Sequence, residues 1–576
     1  MKKLYKIIFL FVLAYAMFSC KKGGFLEQTQ ISDLTQQSVF SDSVKTIAFL
    51  SNIYTQIGFS EDSKRFSNGG LDVASDEAEP YDNSATTPIA FANGSVDPNT
   101  VTDDAYTTCY AQIRAVNVFM KNVGKSPLRA ATKVEVVAEA RFLRAWYYSI
   151  LLKHYGGVPL VGDTVYNYTD KINVKRASYA DCVNYIVSEC DLAAKSLPLQ
   201  QTALLYGRAS GGACQALKMR VLLYAASPLF NDDKPESVET PLSIAKSQKP
   251  ELASVVAYPD YDKQRWKAAA DAAKALIGVY SLVVNNNPPG YGFQYLFTQR
   301  YNPEYIWQVM KQSNADLEGL YLPPSRGGKG GGFPYQEFVD AFPMANGLPI
   351  TDPASTYDPN NPYNGRDPRL ENSILHDQSK WITIASNTAS PINIYTVNGQ
   401  GAGLDAIYTG TKTGYYGAKM LDPAAVPNAF KSTNRCIPLI RYAEVLLSYA
   451  EAINEYEGPA QAYGPIEKIR QRAGLNPYAL PRNLSQDDMR KVIQNERRLE
   501  LAFEGHRFWD IRRWKLGDTQ NAQFTGMEVQ RDGAGNVKAY KRINVRKHGF
   551  KGALYLWPLP ASEVAKSTVT LQNPGY

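Results

Sequence analysis

Residues 133–155 carry apolar side chains along two helical stripes at once, and few folds accommodate such a segment. Val134, Ala138, Phe142, Ala145 and Leu152 form one stripe; Val136, Ala140, Leu143, Tyr147 and Ile150 form the other. A helix that is apolar on two faces must bury both, so it packs between neighbours, as in a helical solenoid or bundle. Gly156-Gly157-Val158-Pro159 follows, a glycine that ends the helix and a proline that cannot continue it. The same periodicity predicts helices near 41–57, 104–122, 178–196, 209–226 and 264–278. It returns over 438–456, 464–473 and 485–515, where Ser485-Gln486-Asp487-Asp488 fits a capping box. No strands alternate with these helices, which argues against an α/β winding. The fold class is mostly α.

Between the two helical sets the composition changes. Residues 285–435 hold 16 Gly and 15 Pro in 151 positions, and helical periodicity is lost. Ser325-Arg-Gly-Gly-Lys-Gly-Gly-Gly-Phe333 must be loop, yet the stretch keeps 20 aromatic residues. Aromatics on loops cannot all be core, and loops on a rigid frame are where binding residues concentrate. Residues 60–103 are also rich in turn formers: Asn68-Gly-Gly, Glu79-Pro-Tyr-Asp-Asn-Ser84, Asn93-Gly94 and Asp97-Pro98. Residues 231–260 read as a charged, proline-containing excursion between helices.

The N-terminus carries an address. Lys2 and Lys3 precede an apolar run from Leu4 to Phe18, about fifteen residues, which suits a signal-peptide core and is short for a membrane span. It ends at Phe18-Ser19-Cys20, the pattern of a bacterial lipoprotein cleavage site, with Cys20 as the residue that would be acylated. Several acyl chains anchor firmly, at about 0.8 kcal/mol per buried CH₂. The remaining five cysteines, Cys109, Cys182, Cys190, Cys214 and Cys436, are odd in number and include no C-x-x-C. They read as buried small apolar residues. Net charge is +7, falling to +4 without Lys2, Lys3 and Lys6. That balance excludes a nucleic-acid binder with a basic face, and four histidines make a His-rich metal site unexpected.

Catalytic templates fail. Gly327-Gly-Lys329-Gly lacks P-loop spacing, and Gly399-Gln-Gly401-Ala-Gly403 misses the third glycine of a dinucleotide turn. No G-x-S-x-G elbow or H-E-x-x-H is present. Asp358, Asn360, Asn364 and Asp367 make an oxygen-rich loop, but prolines break EF-hand spacing, so turn chemistry is preferred to bound calcium. No cofactor is expected. Glu496, Glu500, Glu504, His506 and Asp510 cluster near the C-terminus, interleaved with Arg497, Arg498, Arg507, Arg512 and Arg513. Glu496 shares a face with Val492, Leu499 and Phe503, where a buried carboxylate requires a basic partner, so structural ion pairing is the reading.

That cluster also carries a family resemblance. Asn495-Glu-Arg-Arg-Leu-Glu-Leu through Glu504-Gly-His-Arg507, Asp510 and Arg513-Trp514 resembles the signature of the SusD/RagB outer-membrane lipoproteins. Glu139–Tyr148 with Tyr155-Gly-Gly-Val-Pro159, Gly207-Arg-Ala-Ser-Gly211 and Ser227-Pro-Leu-Phe230 are similar to its N-terminal region. Phe333–Phe342, Arg366-Asp-Pro-Arg369, Gly414–Lys419, Arg441–Glu451, Ile469–Leu475 and Gln572–Tyr576 match in order. The resemblance implies tetratricopeptide-like helical pairs carrying an irregular insert. It divides the chain into a signal peptide at 1–19, an N-terminal helical region at 20–230 and an excursion with one helix at 231–284. A ligand-binding insert at 285–435 and a C-terminal helical region with its tail at 436–576 complete it. It further implies a lipid-anchored, surface-exposed outer-membrane protein that delivers glycan to a SusC-like, TonB-dependent transporter without catalysis.

Sugar rings offer an apolar C–H face and polar edges, so aromatic platforms beside amide, carboxylate or guanidinium groups are the ligand candidates. They are Tyr81 with Asp82 and Asn83, Tyr291 with Gln294, Tyr321 with Arg326, and Trp381 with Lys380. The 60–103 and 285–435 loops should meet on one side as a shallow aromatic shelf. The alternatives are a peptide-binding member of the family and a glycoside hydrolase, which needs two carboxylates about 5–10 Å apart.

Overall fold

The structure, a computed structural model, describes residues 35–66, 69–84, 86–101, 105–167, 169–231, 239–383, 388–425 and 432–576. Cys20 and the apolar run before it lie outside them. Helices Ala105–Asn122, Ala130–Tyr155, Tyr179–Ala194 and Gly211–Ala226 lie side by side, each packed on its predecessor. Gln264–Lys274 packs on Gly211–Ala226 and also on Tyr442–Glu457, which holds Tyr463–Arg472 and Gln486–Glu500. The helical array is therefore continuous across the insert. The protein is mostly α.

The two-stripe helix sits inside this array, with Phe142, Leu143, Trp146, Tyr147 and Leu151 sealed from solvent. Val134 is 54% exposed, so burial begins later than the stripes suggest. Trp146 Nε1 donates to the Ile57 carbonyl (2.8 Å) and the Tyr147 hydroxyl to the Ile53 carbonyl (2.5 Å). Both rings thus stay apolar while their polar ends satisfy the last carbonyl of the Ser43–Ile53 helix and that of Ile57, which ends the turn after it. Gly156 caps the helix at φ 74°, and a Cβ there would lie 3.0 Å from the Val255 carbonyl oxygen.

The insert leaves and rejoins the array at one place. Strand Tyr305–Met310 runs antiparallel to Cys436–Arg441, with Gln308 opposite Pro438 and Val309 opposite Ile437. Residues 438–441, expected as helix, are strand because they close this ribbon. The insert has its own small core, in which Tyr321, Phe333, Trp381, Ile392, Ile394 and Tyr416 pack together. A second cluster joins Phe338, Phe342 and Leu370 of the insert to Leu499, Met527 and Val529.

Three other expectations are corrected. The 485–515 segment is two helices, Gln486–Glu500 and Arg507–Arg513, separated by a bend with Phe503 at φ 57° and Gly505 at φ 77°. Residues 60–103 are not all loop: they hold strand Ala78–Pro80 and helix Thr86–Asn93. The excursion includes helix Pro241–Gln248, opened by a Thr240–Ser243 capping box. A hairpin of Gln523–Arg531 and Val537–Lys547 was not expected at all. Asp532 makes its turn, accepting the amides of Ala534 (2.9 Å) and Asn536 (2.8 Å).

The Glu/Arg cluster is an interior ion network. Arg369 donates to Glu496 (2.5 Å) and lies 3.3 Å from Glu500. Arg441 bonds Glu304, Glu500 and Glu504, each at 2.7 Å, and Arg472 reaches both Glu304 (3.1 Å) and Glu500. Burial opposes the charge on Glu500, but Arg472, Arg441 and Arg369 overcome it and hold the carboxyl at about 2. Asp510 is shared by Arg497 (2.8 Å) and Arg513 (2.7 Å). These carboxylates tie the insert to the C-terminal helices. The five cysteines of the described residues are buried and form no disulfide with one another.

Candidate functional site

Pairing of Ala78–Pro80 with Gly332–Pro334 puts Tyr81 at the end of a two-stranded ribbon, where it is 45% exposed. Its ring lies 6.2 Å from Phe333. Asp82 accepts the Ser84 amide (2.8 Å), which with the Ser84 side chain holds the carboxyl below its ordinary value. Asn83 Oδ1 accepts from Lys412 Nζ (2.8 Å), which also donates to the Pro80 carbonyl (2.9 Å). Tyr81, Asp82 and Asn83 thus form one polar–aromatic patch pinned by Lys412, a residue not foreseen from sequence.

Tyr321 ends the Asp316–Tyr321 helix and packs over Gly417, where a Cβ would stand 3.3 Å from its ring. Gly417 follows Tyr416, whose ring is 5.6 Å from Phe333. Tyr81, Phe333 and Tyr416 are linked ring to ring, and Tyr321, buried beside Gly417, packs in the same insert core as Phe333 and Tyr416, so the four make one aromatic seam of which Tyr81 is the open end.

Tyr321 also lines a cleft of about 490 Å³ between residues 55–65 and the insert. Phe59 and Phe503 add rings to it, Met420 adds an apolar wall, and Asn314, Lys64 and Lys311 add polar groups. Lys311 lies 4.0 Å from Asp62. The deeper charges are already paired: Glu61 with Lys153, and Glu504 with Lys419 (2.7 Å) and Arg441. Phe59 was missed because it lies one residue before the turn-rich stretch, just past the helix.

Two other candidates are placed, like Tyr321, in the core of the insert, but away from the cleft. Trp381 is buried on strand Lys380–Ile382, which pairs with Ala389–Pro391. Arg326 is buried too, donating to the Ser390 carbonyl (2.8 Å), Ser390 Oγ (2.9 Å) and the Pro391 carbonyl (3.0 Å). Together they fasten that hairpin and present no open face. Tyr291 is half-buried with its ring 5.7 Å from Tyr295, apart from the Tyr81–Tyr321 seam.

The oxygen-rich loop is spent on itself. Asp358 accepts from the Asn360 amide (2.9 Å) and Asn361 Nδ2 (2.7 Å), while Asp367 holds Arg369 (2.7 Å). Among the described residues no group of three or more His, Cys, Asp or Glu is arranged to hold a metal ion. Asp72 lies under Tyr321, its Oδ2 3.4 Å from the hydroxyl, and burial pushes its carboxyl up to about 6. It is sealed and is not among the residues lining the cleft.

Comparison with known proteins agrees with this architecture. Residues 290–576 match the model of the SusD family, and residues 24–223 match the SusD-like model described as starch-binding and associating with the outer membrane. SusD-like protein P25 of Formosa agariphila is 25% identical over 89% of this chain and 90% of its own. SusD-like protein P2 of the same organism is 36% identical, over about a quarter of each chain (26% and 27%). A SusD-like protein of Bacteroides fragilis superposes with a TM-score of 0.75 at 26% identity, covering 94% of this chain and 99% of that one. A laminarin-binding SusD-like protein superposes at 0.58 with 20% identity, covering 93% and 100%. With two family models spanning both helical regions and the insert, the chain belongs to the SusD family.

Proposed function

We propose that this protein is a non-catalytic glycan-binding subunit of an outer-membrane uptake system, passing oligosaccharide to a SusC-like, TonB-dependent transporter. The observation that carries the reading is the aromatic seam, with Tyr81 open beside Asp82 and Asn83 at one end and Tyr321 walling a 490 Å³ cleft at the other. Rings stack on the C–H faces of a sugar while amides, hydroxyls and carboxylates meet its edges. The laminarin-binding neighbour supports glycan as the ligand class. Paired carboxylates support a binding role over hydrolysis: Glu61 and Glu504 are each committed to a cation.

Anchoring is by acylated Cys20, with the folded part outside the bilayer. No helix of the described residues is long and apolar enough to cross a membrane. A glycan and peptide array probed with the protein tests the reading directly. Binding of oligosaccharides with no change in their length over hours is expected; binding of peptides alone, or release of shorter sugars, overturns it.

A further inference from the structure

A second cavity, of about 310 Å³, lies on the other side of the ribbon that joins the insert to the helical array. Successive side chains of a strand point to opposite faces. Val309 lines the Tyr321 cleft, whereas its neighbour Gln308 lines this second cavity, together with Tyr305 and Ile306 at the start of the strand. The remaining wall comes from the loop that opens helix Gly211–Ala226 and from the turn after helix Gln264–Lys274, which contribute Tyr206, Arg208 and Tyr280. Glycine lets this loop approach: a Cβ on Gly207 would stand 2.3 Å from Met310 of the strand.

Three observations define what this cavity is suited to hold. Gln308 is 3% exposed, and its amide oxygen is buried with no hydrogen-bond partner. A buried acceptor left unpaired pays its desolvation with no return, so a donor delivered to it is favoured. Second, the charge is already cancelled: Arg208 is bonded to Glu139 at 2.8 Å, and Gln200, Gln201, Ser210 and Asn302 are neutral amides and hydroxyls. Third, Tyr206 of the lining carries an aromatic partner behind it, Tyr301, with ring centroids 4.7 Å apart and Tyr301 57% exposed. Neutral amides beside an open aromatic pair suit a neutral polyhydroxylated ring and offer nothing to an anion or an ammonium group.

We propose that the Tyr206–Gln308 cavity is a second binding site, for a single neutral sugar ring, on the face of the ribbon opposite the Tyr321 cleft. It does not depend on the cleft being a glycan site, and the two are separable by mutation. The test is saturation-transfer NMR on the full chain in detergent, with glucose, galactose, mannose, maltose and laminaribiose as probes. Tyr301→Ala and Gln308→Leu are expected to weaken at least one probe fivefold or more, while Tyr81→Ala leaves that probe unchanged. Tyr301 is exposed, so its variant stays folded and keeps the test meaningful if Gln308→Leu does not. The proposal is overturned if no probe receives saturation, or if every bound probe is lost in Tyr81→Ala and kept in Tyr301→Ala. It is also overturned if acetate or a dipeptide competes for the same signal.

Discussion

Arg369 and Glu496 are separated by 127 residues in the chain and by 2.5 Å in space. Arg369 belongs to the insert and Glu496 to the helix that follows the array's resumption, so this contact is where the two parts of the protein are registered. Arg369 also bonds Asp367 (2.7 Å) and approaches Glu500, which Arg441 and Arg472 share. An interior of this kind is stable only when every charge has its partner.

Removing one partner should therefore cost more than the pair contributes. Arg369→Ala leaves Asp367 and Glu496 buried without their guanidinium and is expected to lower stability by about 3–5 kcal/mol. Glu496→Gln leaves Arg369 with Asp367 and Glu500 and should cost less, on the order of 1–3 kcal/mol. Chemical denaturation of the two variants checks the order. A folded Glu496→Gln protein that loses a measurable hydrolytic activity would instead assign this carboxylate to catalysis.

Acidity offers a second test at Glu77. Its Oε1 is buried without a partner, and burial, with the charges of Asp72 and Asp76, pushes the carboxyl up to about 8. The raised value sets the sign. Below about pH 4.5 the group is protonated in both states; as pH rises toward 8 the unfolded chain ionises first and the folded state loses stability. Glu77→Gln removes that loss. Its melting temperature should match the parent near pH 4.5 and exceed it increasingly up to pH 8. A gap independent of pH across this window contradicts the assignment.

Anchoring is tested at Cys20. Cys20→Ala should go unacylated and move from the membrane to the soluble fraction, since one thioether-linked lipid group and its companions are the proposed hold on the bilayer. Fractionation in high salt gives the answer. Continued membrane residence of monomeric Cys20→Ala rules out the lipoprotein reading.

Much of the scaffold was legible because its signals are local. The 133–155 stripes, the Gly156 stop and the Ser485 cap each depend on residues a few positions apart; the helix and its stop are seen where expected, Val134 excepted, and Ser485 caps its helix although Asp488 bonds the Ser485 hydroxyl rather than completing the box. The 523–547 hairpin was equally local, with Asp532-Gly533 marking its turn, but its second strand is largely exposed and shows little apolar alternation. The bend at 501–506 was not legible. Gly505 lies inside a helical pattern, and the bend brings Glu504 to Arg441 and Lys419, partners more than sixty residues away. The site suffered most from this limit. Tyr81, Tyr321, Arg326 and Trp381 were all named from loop composition, and only the fold separates the open ring of Tyr81 from a core that Tyr321 and Trp381 share.

That separation yields the sharpest prediction about the ligand. Tyr81 is 45% exposed and its ring lies on Phe333 at the end of the ribbon, so Tyr81→Ala should leave the melting temperature nearly unchanged. If sugar stacks on it, affinity falls by about 1–3 kcal/mol, roughly five- to 150-fold. The parent affinity should lie between micromolar and millimolar, about −8 to −4 kcal/mol, because stacking and a few hydrogen bonds are modest terms. Trp381→Ala should do the reverse. It empties a space in the core shared with Tyr321, Phe333 and Tyr416, and is expected to cost about 3–5 kcal/mol of stability. Tyr321→Phe is the intermediate case: it keeps the ring against Gly417 and removes only the hydroxyl near Asp72, so its affinity should stay within threefold of the parent. Calorimetry with the strongest array ligand, beside thermal melts, reads all three. Full affinity in both Tyr81→Ala and Tyr321→Ala would move the glycan site off the seam altogether.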